Sequence, residues 1–185
     1  MKPKMTENLE AVFGTMFFLF LVLPIFFIYI PYKIVSYPNH ALLFDIGVWR
    51  YSGLVLIALG AAGYFWCSHS FAFSGKGTPI PFTPTKELVV TGLYRHVRNP
   101  MYVVAFMILA GETVLFQSKG MLIYFLIMFG GLNFQVLCLE ETHLEEKFGE
   151  GYRRYRKAVP RWIPRLTPYR GDDPAADDST ARNAR

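Results

Sequence analysis

The segment ending Thr91-Gly-Leu-Tyr-Arg-His-Val-Arg-Asn-Pro-Met-Tyr102 and the later Glu140-Glu-Thr-His-Leu144 hold the residues best suited to chemistry. Pro100 suits the first turn of a helix and Asn99 before it is a favourable N-cap, so a helix is expected to begin at Asn99-Pro100. Its first turn offers unpaired amide N–H groups and the positive end of the helix dipole. With Arg95 and Arg98 just upstream, this is a pocket for an anion. Glu140 and Glu141 are adjacent carboxylates at an expected helix C-terminus, where the dipole disfavours negative charge unless a cation or an arginine compensates it. The rings of Tyr94 and Tyr102 are able to stack on a base or face a cation.

These residues are positioned by long apolar segments. Ala11 to Tyr32 carries no charge, and neither does Tyr51 to Ser74. Pro100 to Gln117 is interrupted only by Glu112, and Met121 to Leu139 is uncharged. Each approaches the roughly 20 residues that cross a bilayer core. The expected fold is therefore an all-α integral membrane protein of four transmembrane helices, at about 11–32, 51–74, 100–117 and 121–139. Ala11 to Tyr32 ends in aromatics with no small-residue cleavage site, so it reads as an uncleaved span. Spans three and four, joined at Ser118 to Gly120, must form an antiparallel hairpin, which sets the start of one beside the end of the other. Anion pocket and carboxylate pair then meet. A ligand fitting both bears a carboxylate and a cation close together, as does the methionine moiety of S-adenosylmethionine.

After the fourth span, Leu144, Phe148, Tyr152 and Tyr155 recur at helical spacing among charged residues, which predicts an amphipathic helix at the cytoplasmic interface. Pro160 and Pro164 end it, and 171–185 reads as a disordered tail, leaving 1–170 as a single domain with cofactor segments at 75–102 and 140–164. Of the 19 Lys and Arg, only Lys33, Arg50 and Lys119 fall outside the N-terminal flank, the loop from Gly75 to Asn99 and the C-terminal tail. The positive-inside rule puts those three segments, and with them both termini, in the cytoplasm. Trp49, Tyr32, Tyr37 and Tyr51 then fall at the outer boundary and Trp66 near the inner one.

At 52% hydrophobic and 18% charged the chain is too apolar for an ordinary soluble domain. Its basic residues flank apolar runs and form no nucleic-acid stripe. Cys67 and Cys138 allow neither a disulfide framework nor a zinc cluster. Glu140 and His143 form Glu-x-x-His, but a di-iron bundle needs a second copy, so no metal is expected. Arg95 and Arg98 by themselves would read as a topology signal, and Glu140-Glu141 as the start of a solvated helix. Glu112 is an intramembrane carboxylate, which reads either as functional or as a group that snorkels or meets a polar neighbour. His40 and His69 read as interfacial, Gly130-Gly131 as allowing close helix packing or a kink, and Gly75-x-Gly77 as no dinucleotide fingerprint.

The two motifs, with Leu88-Val-Val90, Phe148-Gly149, Tyr152, Tyr155 and Val159-Pro160, resemble the membrane methyltransferases that include isoprenylcysteine carboxyl methyltransferase and the phospholipid N-methyltransferases. The resemblance covers roughly Gly75 to Pro164. It implies S-adenosylmethionine contacts at Leu88, Val89, Gly92, Tyr94, Asn99, Pro100, Met101, Tyr102 and Glu140, with Arg98 and Glu141 catalytic. The family's commonest form has His where this chain has Asn99, and Arg-Asn-Pro-Met-Tyr is similar to a bacterial variant, which implies a bacterial inner membrane. Prenylcysteine enzymes are similar to one another in an arginine about one turn before the Glu pair; here Gln135 and Val136 stand nearby. The expected activity is methyl transfer to a lipophilic acceptor from the bilayer, an isoprenylcysteine-type carboxylate or related small lipid. Alternatives are an N- or S-methyltransferase, an NADPH-dependent protein like the sterol reductases, and a non-catalytic membrane scaffold.

Overall fold

A computed structural model describes residues 21–37, 45–73 and 88–171, with side chains of 69–73 excepted. Among the described residues every regular element is helical. Four of the helices are apolar: α1 (Ile25–Val35), α2 (Ser52–Phe73), α3 (Pro100–Phe116) and α4 (Lys119–Gln135). A π turn, Val136–Glu140, carries α4 into the amphipathic α5 (Glu141–Ala158). By length and composition α2, with the 3-10 turn Gly47–Tyr51 before it, and the continuous helix Lys119–Ala158 formed by α4, the π turn and α5 are long enough to cross a bilayer, whereas α1 and α3 are shorter. At about 1.5 Å per residue α3 covers roughly 26 Å of a ~30 Å core. Large apolar side chains point outward along α2 (Leu54, Val55, Leu59, Phe65) and α4 (Ile123, Leu126, Ile127, Phe134), a surface suited to lipid and not to water.

With lipid outside, burial of apolar area does little to bring helices together, and close backbone approach does more. The α2–α3 seam is built on this. A Cβ on Gly53 would sit 2.3 Å from the Gly111 carbonyl oxygen, and one on Gly111 would sit 2.6 Å from that of Gly53. At Gly60 the added atom would lie 2.8 Å from the Val104 oxygen. By contrast, among the described residues nothing lies within 4 Å of a Cβ at Gly130 or Gly131, and the close packing or kink expected there is not seen among them. On α1, Pro31 has no N–H to give the Phe26 carbonyl in a π turn, and Tyr124 Oη donates to that oxygen instead at 2.9 Å.

The hairpin between α3 and α4 is tighter than the sequence suggested. Gln117 closes α3 in the left-handed conformation (φ 52°), its N–H on the Thr113 oxygen at 2.9 Å. Ser118 then starts α4, its Oγ accepting from the Met121 N–H at 3.4 Å, and Lys119 and Gly120 already belong to the helix. Two further corrections concern α5. It bends at Gly149, whose φ of 52° and ψ of −127° leave the helical region. Its aromatic face is covered by protein: Tyr152 and Tyr155 are buried against Val159 and Tyr169, with Leu88, Val90, Leu144 and Phe148 around them. The chain supplies its own cover for that face. Residues 11–20 of the first span, His40, the Gly75-x-Gly77 pair and the tail from 172 lie outside the described residues.

Candidate functional site

The approach to α3 is a chain of turns. Gly92 adopts φ 56°, a left-handed conformation that suits glycine, and opens the 3-10 turn Gly92–Arg95. The Leu93 oxygen accepts from both His96 N (2.9 Å) and Val97 N (3.1 Å). Pro100 then begins α3, and the Asn99 oxygen accepts from Val103 N at 3.1 Å. The Asn99 side chain does not cap the helix, contrary to expectation. Its Nδ2 is buried without a hydrogen-bond partner among the described residues. The side chain of Arg98 beside it is 9% exposed, and its Nε is likewise buried and unmatched among the described residues. Buried donors ordinarily find acceptors, so two orphans at one helix start mark a place for an acceptor group.

Opposite this point the π turn delivers the two carboxylates. Tyr102 Oη donates to Glu140 Oε1, and Gln135 Nε2 donates to the same oxygen at 3.0 Å. Both bonds thus fall on a single oxygen of Glu140. Glu141 is 4% exposed. Arg161 grips it in a fork, Nε to Oε1 at 2.6 Å and Nη2 to Oε2 at 2.9 Å. Arg98 Nη1 stands 3.0 Å from Oε1, and Arg156 Nε 3.8 Å from Oε2. Burial pushes the Glu141 carboxyl up, but the Arg161 hydrogen bonds and the charges of Arg98, Arg161 and Arg156 outweigh it and hold it below its ordinary value. Glu141, which lies beyond the last apolar span, is thus ionised at neutral pH.

A third element completes the site. After α5 ends at Ala158, the strap 159–169 runs back along residues 95–98. Arg98 N donates to the Pro160 oxygen, Arg165 N to the His96 oxygen and Tyr169 N to the Arg95 oxygen, each at 2.9 Å. Arg95 Nε returns a bond to the Tyr169 oxygen at 2.7 Å, and His96 Nδ1 meets the Arg165 oxygen at 2.8 Å. Trp162 on the strap donates to Asn133 Oδ1 at 3.1 Å and packs its ring on Phe106 and Phe129, with Tyr102 at its edge. Tyr155 Oη holds the Tyr94 carbonyl at 2.6 Å.

The residues singled out in the sequence do not all meet at one place. Arg98, Asn99, Tyr102, Glu140 and Glu141 meet where α3 begins and α4 ends. Pro100 is fully buried and Met101 partly buried in the same turn. Leu88 packs instead on the Tyr152–Tyr155 cluster, as does Val90, while Val89 is partly buried between them and Gly92 shapes the turn. Arg95 faces the strap and not the carboxylates. Glu112 is remote from the site and does not snorkel: it is 8% exposed and its Oε2 has no partner among the described residues. Sequence reasoning missed Arg161, Arg156 and Trp162. Their signal was Pro160, read as a helix stop and as part of the family pattern, although a chain turned by proline after an amphipathic helix is able to lie back on it. Among the described residues no three His, Cys, Asp or Glu side chains form a group that could hold a metal ion.

Comparison with known proteins agrees with the pairing of motifs. Over 77 residues, 42% of this chain, it is 35% identical to protein-S-isoprenylcysteine O-methyltransferase of Schizosaccharomyces pombe. Over 120 residues, 65% of the chain, it is 26% identical to the cobalt-zinc-cadmium resistance protein CzcN of Cupriavidus metallidurans and 25% identical to the nickel-cobalt-cadmium resistance protein NccN of Alcaligenes xylosoxydans. The matched stretches span 33%, 51% and 52% of those relatives' own lengths. No solved structure matches. The sequence model of the phospholipid methyltransferase family matches residues 48–151, from the turn before α2 into α5, and the chain belongs to that family of membrane methyltransferases.

Proposed function

We propose that this protein transfers a methyl group from S-adenosylmethionine to a lipophilic acceptor drawn from the bilayer. The observation that carries the reading is the meeting of two unmatched buried donors, Arg98 Nε and Asn99 Nδ2, with the Glu140 carboxylate at the junction of α3 and α4. Donors and carboxylate fit the carboxylate and ammonium of the cofactor's amino-acid end, and Tyr94, Pro100, Met101 and Tyr102 surround the junction, with Leu88, Val89 and Gly92 shaping its approach. When bound, S-adenosylmethionine supplies an electrophilic methyl group on a sulfonium.

The chain's own contribution is placement and exclusion of water. Tyr102 and Gln135 fix Glu140 as an anionic anchor. Glu141 holds Arg98, whose remaining donors are available to a reacting anion. A carboxylate acceptor needs no base. For an amine or thiol acceptor Glu141 is the candidate base, and its arginine partners make it a weak one.

Calorimetric titration of the purified protein with S-adenosylmethionine tests the cofactor, and NADPH in a parallel titration tests the reductase alternative. Mass spectrometry of lipid extracts incubated with methyl-labelled cofactor would identify the acceptor. Arg98→Lys keeps the charge but not the planar fork, so turnover is expected to fall with the melting temperature unchanged. Wild-type turnover would return Arg98 to the topology signal. The reading includes an inner-membrane location with both termini cytoplasmic, one domain over 1–170, and a separate tail at 171–185. Reporter fusions at residues 40 and 119 should then be outside and those at 85 and 175 inside; a cytoplasmic signal at 119 would sink the four-span arrangement.

A further inference from the structure

We propose that Arg161 is a positioning residue, which fixes Glu141 and through it the guanidinium of Arg98; the inference rests on the methyltransferase reading above. Glu141 Oε1 is shared by two guanidinium groups, and they hold it differently. Arg161 makes a complete fork to both oxygens, at 2.6 and 2.9 Å. Arg98 Nη1 lies 3.0 Å away yet lacks the alignment of a hydrogen bond. Arg98 therefore donates no aligned hydrogen bond to Glu141, and beyond its contact with the Tyr152 hydroxyl its orientation depends on where the Glu141 carboxylate is put. A bidentate arginine–carboxylate pair specifies geometry as well as attraction, so the carboxylate is set by Arg161.

Arg161 is fixed in turn by its neighbour, because the Pro160 oxygen accepts from the backbone N–H of Arg98 at 2.9 Å. The two arginines are tied through one main-chain bond and one shared carboxylate. Nothing on α5 repeats this grip: Arg156 stands at 3.8 Å and is 46% exposed. The strap thus acts on the site through Arg161, not only as cover for the aromatic face of α5.

The test uses full-length protein in detergent, with nitrogen-15 arginine and the Arg98 Nε–H resonance assigned by its loss in Arg98→Lys. For Arg161→Gln the expected result is a near-native melting temperature and a shifted or broadened Arg98 resonance. Methyl incorporation from labelled S-adenosylmethionine into a total lipid extract should fall by roughly ten- to a hundredfold, the scale of a misplaced reacting group. Arg161→Lys restores charge without the fork and should not restore the rate, whereas Lys157→Gln on the exposed side of α5 should match wild type. If Arg161→Gln does not fold, Arg161→Lys carries the same readouts. Unchanged incorporation, or an Arg98 resonance that stays in place, overturns the proposal. If the wild type binds no S-adenosylmethionine the functional reading falls by itself, and the resonance alone then decides whether Arg161 holds Arg98.

Discussion

Helix α3 has a buried carboxylate near each end, and the two are treated in opposite ways. At its start Glu141, 4% exposed, is met by Arg161 and Arg98; near its end Glu112, 8% exposed, has an oxygen with no partner among the described residues. Around Glu112 the helix is pressed against α2 through Gly53 and Gly111, which bring backbones together but offer no side-chain donors. Around Glu141 the neighbours come from three separate segments, two of them rich in arginine. Burial alone therefore does not make a carboxylate a working group. What distinguishes the start of α3 is that its charges are paired while two adjoining donors are left unmatched.

Removing Glu141 should break this contrast most severely. Glu141→Ala leaves Arg98 and Arg161 facing each other without an anion, and a buried pair that loses one member costs about 3–5 kcal/mol. Thermal unfolding in detergent would measure it, and a loss below about 1 kcal/mol would show the arginines to be solvated. Acid probes the same pair. Because the folded-state value of Glu141 is depressed, its contribution is fully present above the ordinary carboxylate range and is lost as pH falls through the lower folded value. Melting temperature should accordingly be flat around neutrality and drop below about pH 4, and Glu141→Gln should remove part of that drop.

Glu140→Gln sharpens the comparison within the site itself. It keeps a partner for Tyr102 but deletes the charge proposed to face a cation, a loss of roughly 1.5–3 kcal/mol in S-adenosylmethionine affinity. Unchanged calorimetric affinity in folded protein would take Glu140 out of the site. At the other end of α3, Gly111→Ala puts a methyl group 2.6 Å from the Gly53 oxygen and should cost about 1–3 kcal/mol with cofactor affinity intact. The smallest effect belongs to Glu112→Gln, expected within about 0.5 kcal/mol of wild type and silent in methyl transfer. A loss of activity there would give Glu112 a role that its distance from the site does not suggest.

How much of this was legible varies with the range of the interaction. The starts and stops of α2 and α3 were readable because they depend on local chemistry: uncharged runs, a proline at the first turn, charged flanks. The meeting of Tyr102 with Glu140 was also readable, since a short connection forces two helices of similar length into a hairpin. The glycine seam was not, because Gly53, Gly60 and Gly111 look no different in sequence from Gly130 and Gly131, and only the neighbouring helix tells which of them is crowded.

By itself, then, the sequence determined an apolar helical chain, its hairpin, and the residues brought together where α3 starts and α4 ends, all consequences of residue order and of the length a bilayer demands. Only the tertiary structure decided which arginine holds which carboxylate. Arg161 lies twenty residues beyond Glu141 on a strap with no periodicity, and its place is set by main-chain bonds to residues 95–98 that any side chains could have made. Such bonds carry no residue-type signature. The identity of the partner therefore becomes visible only once the backbone has closed on itself.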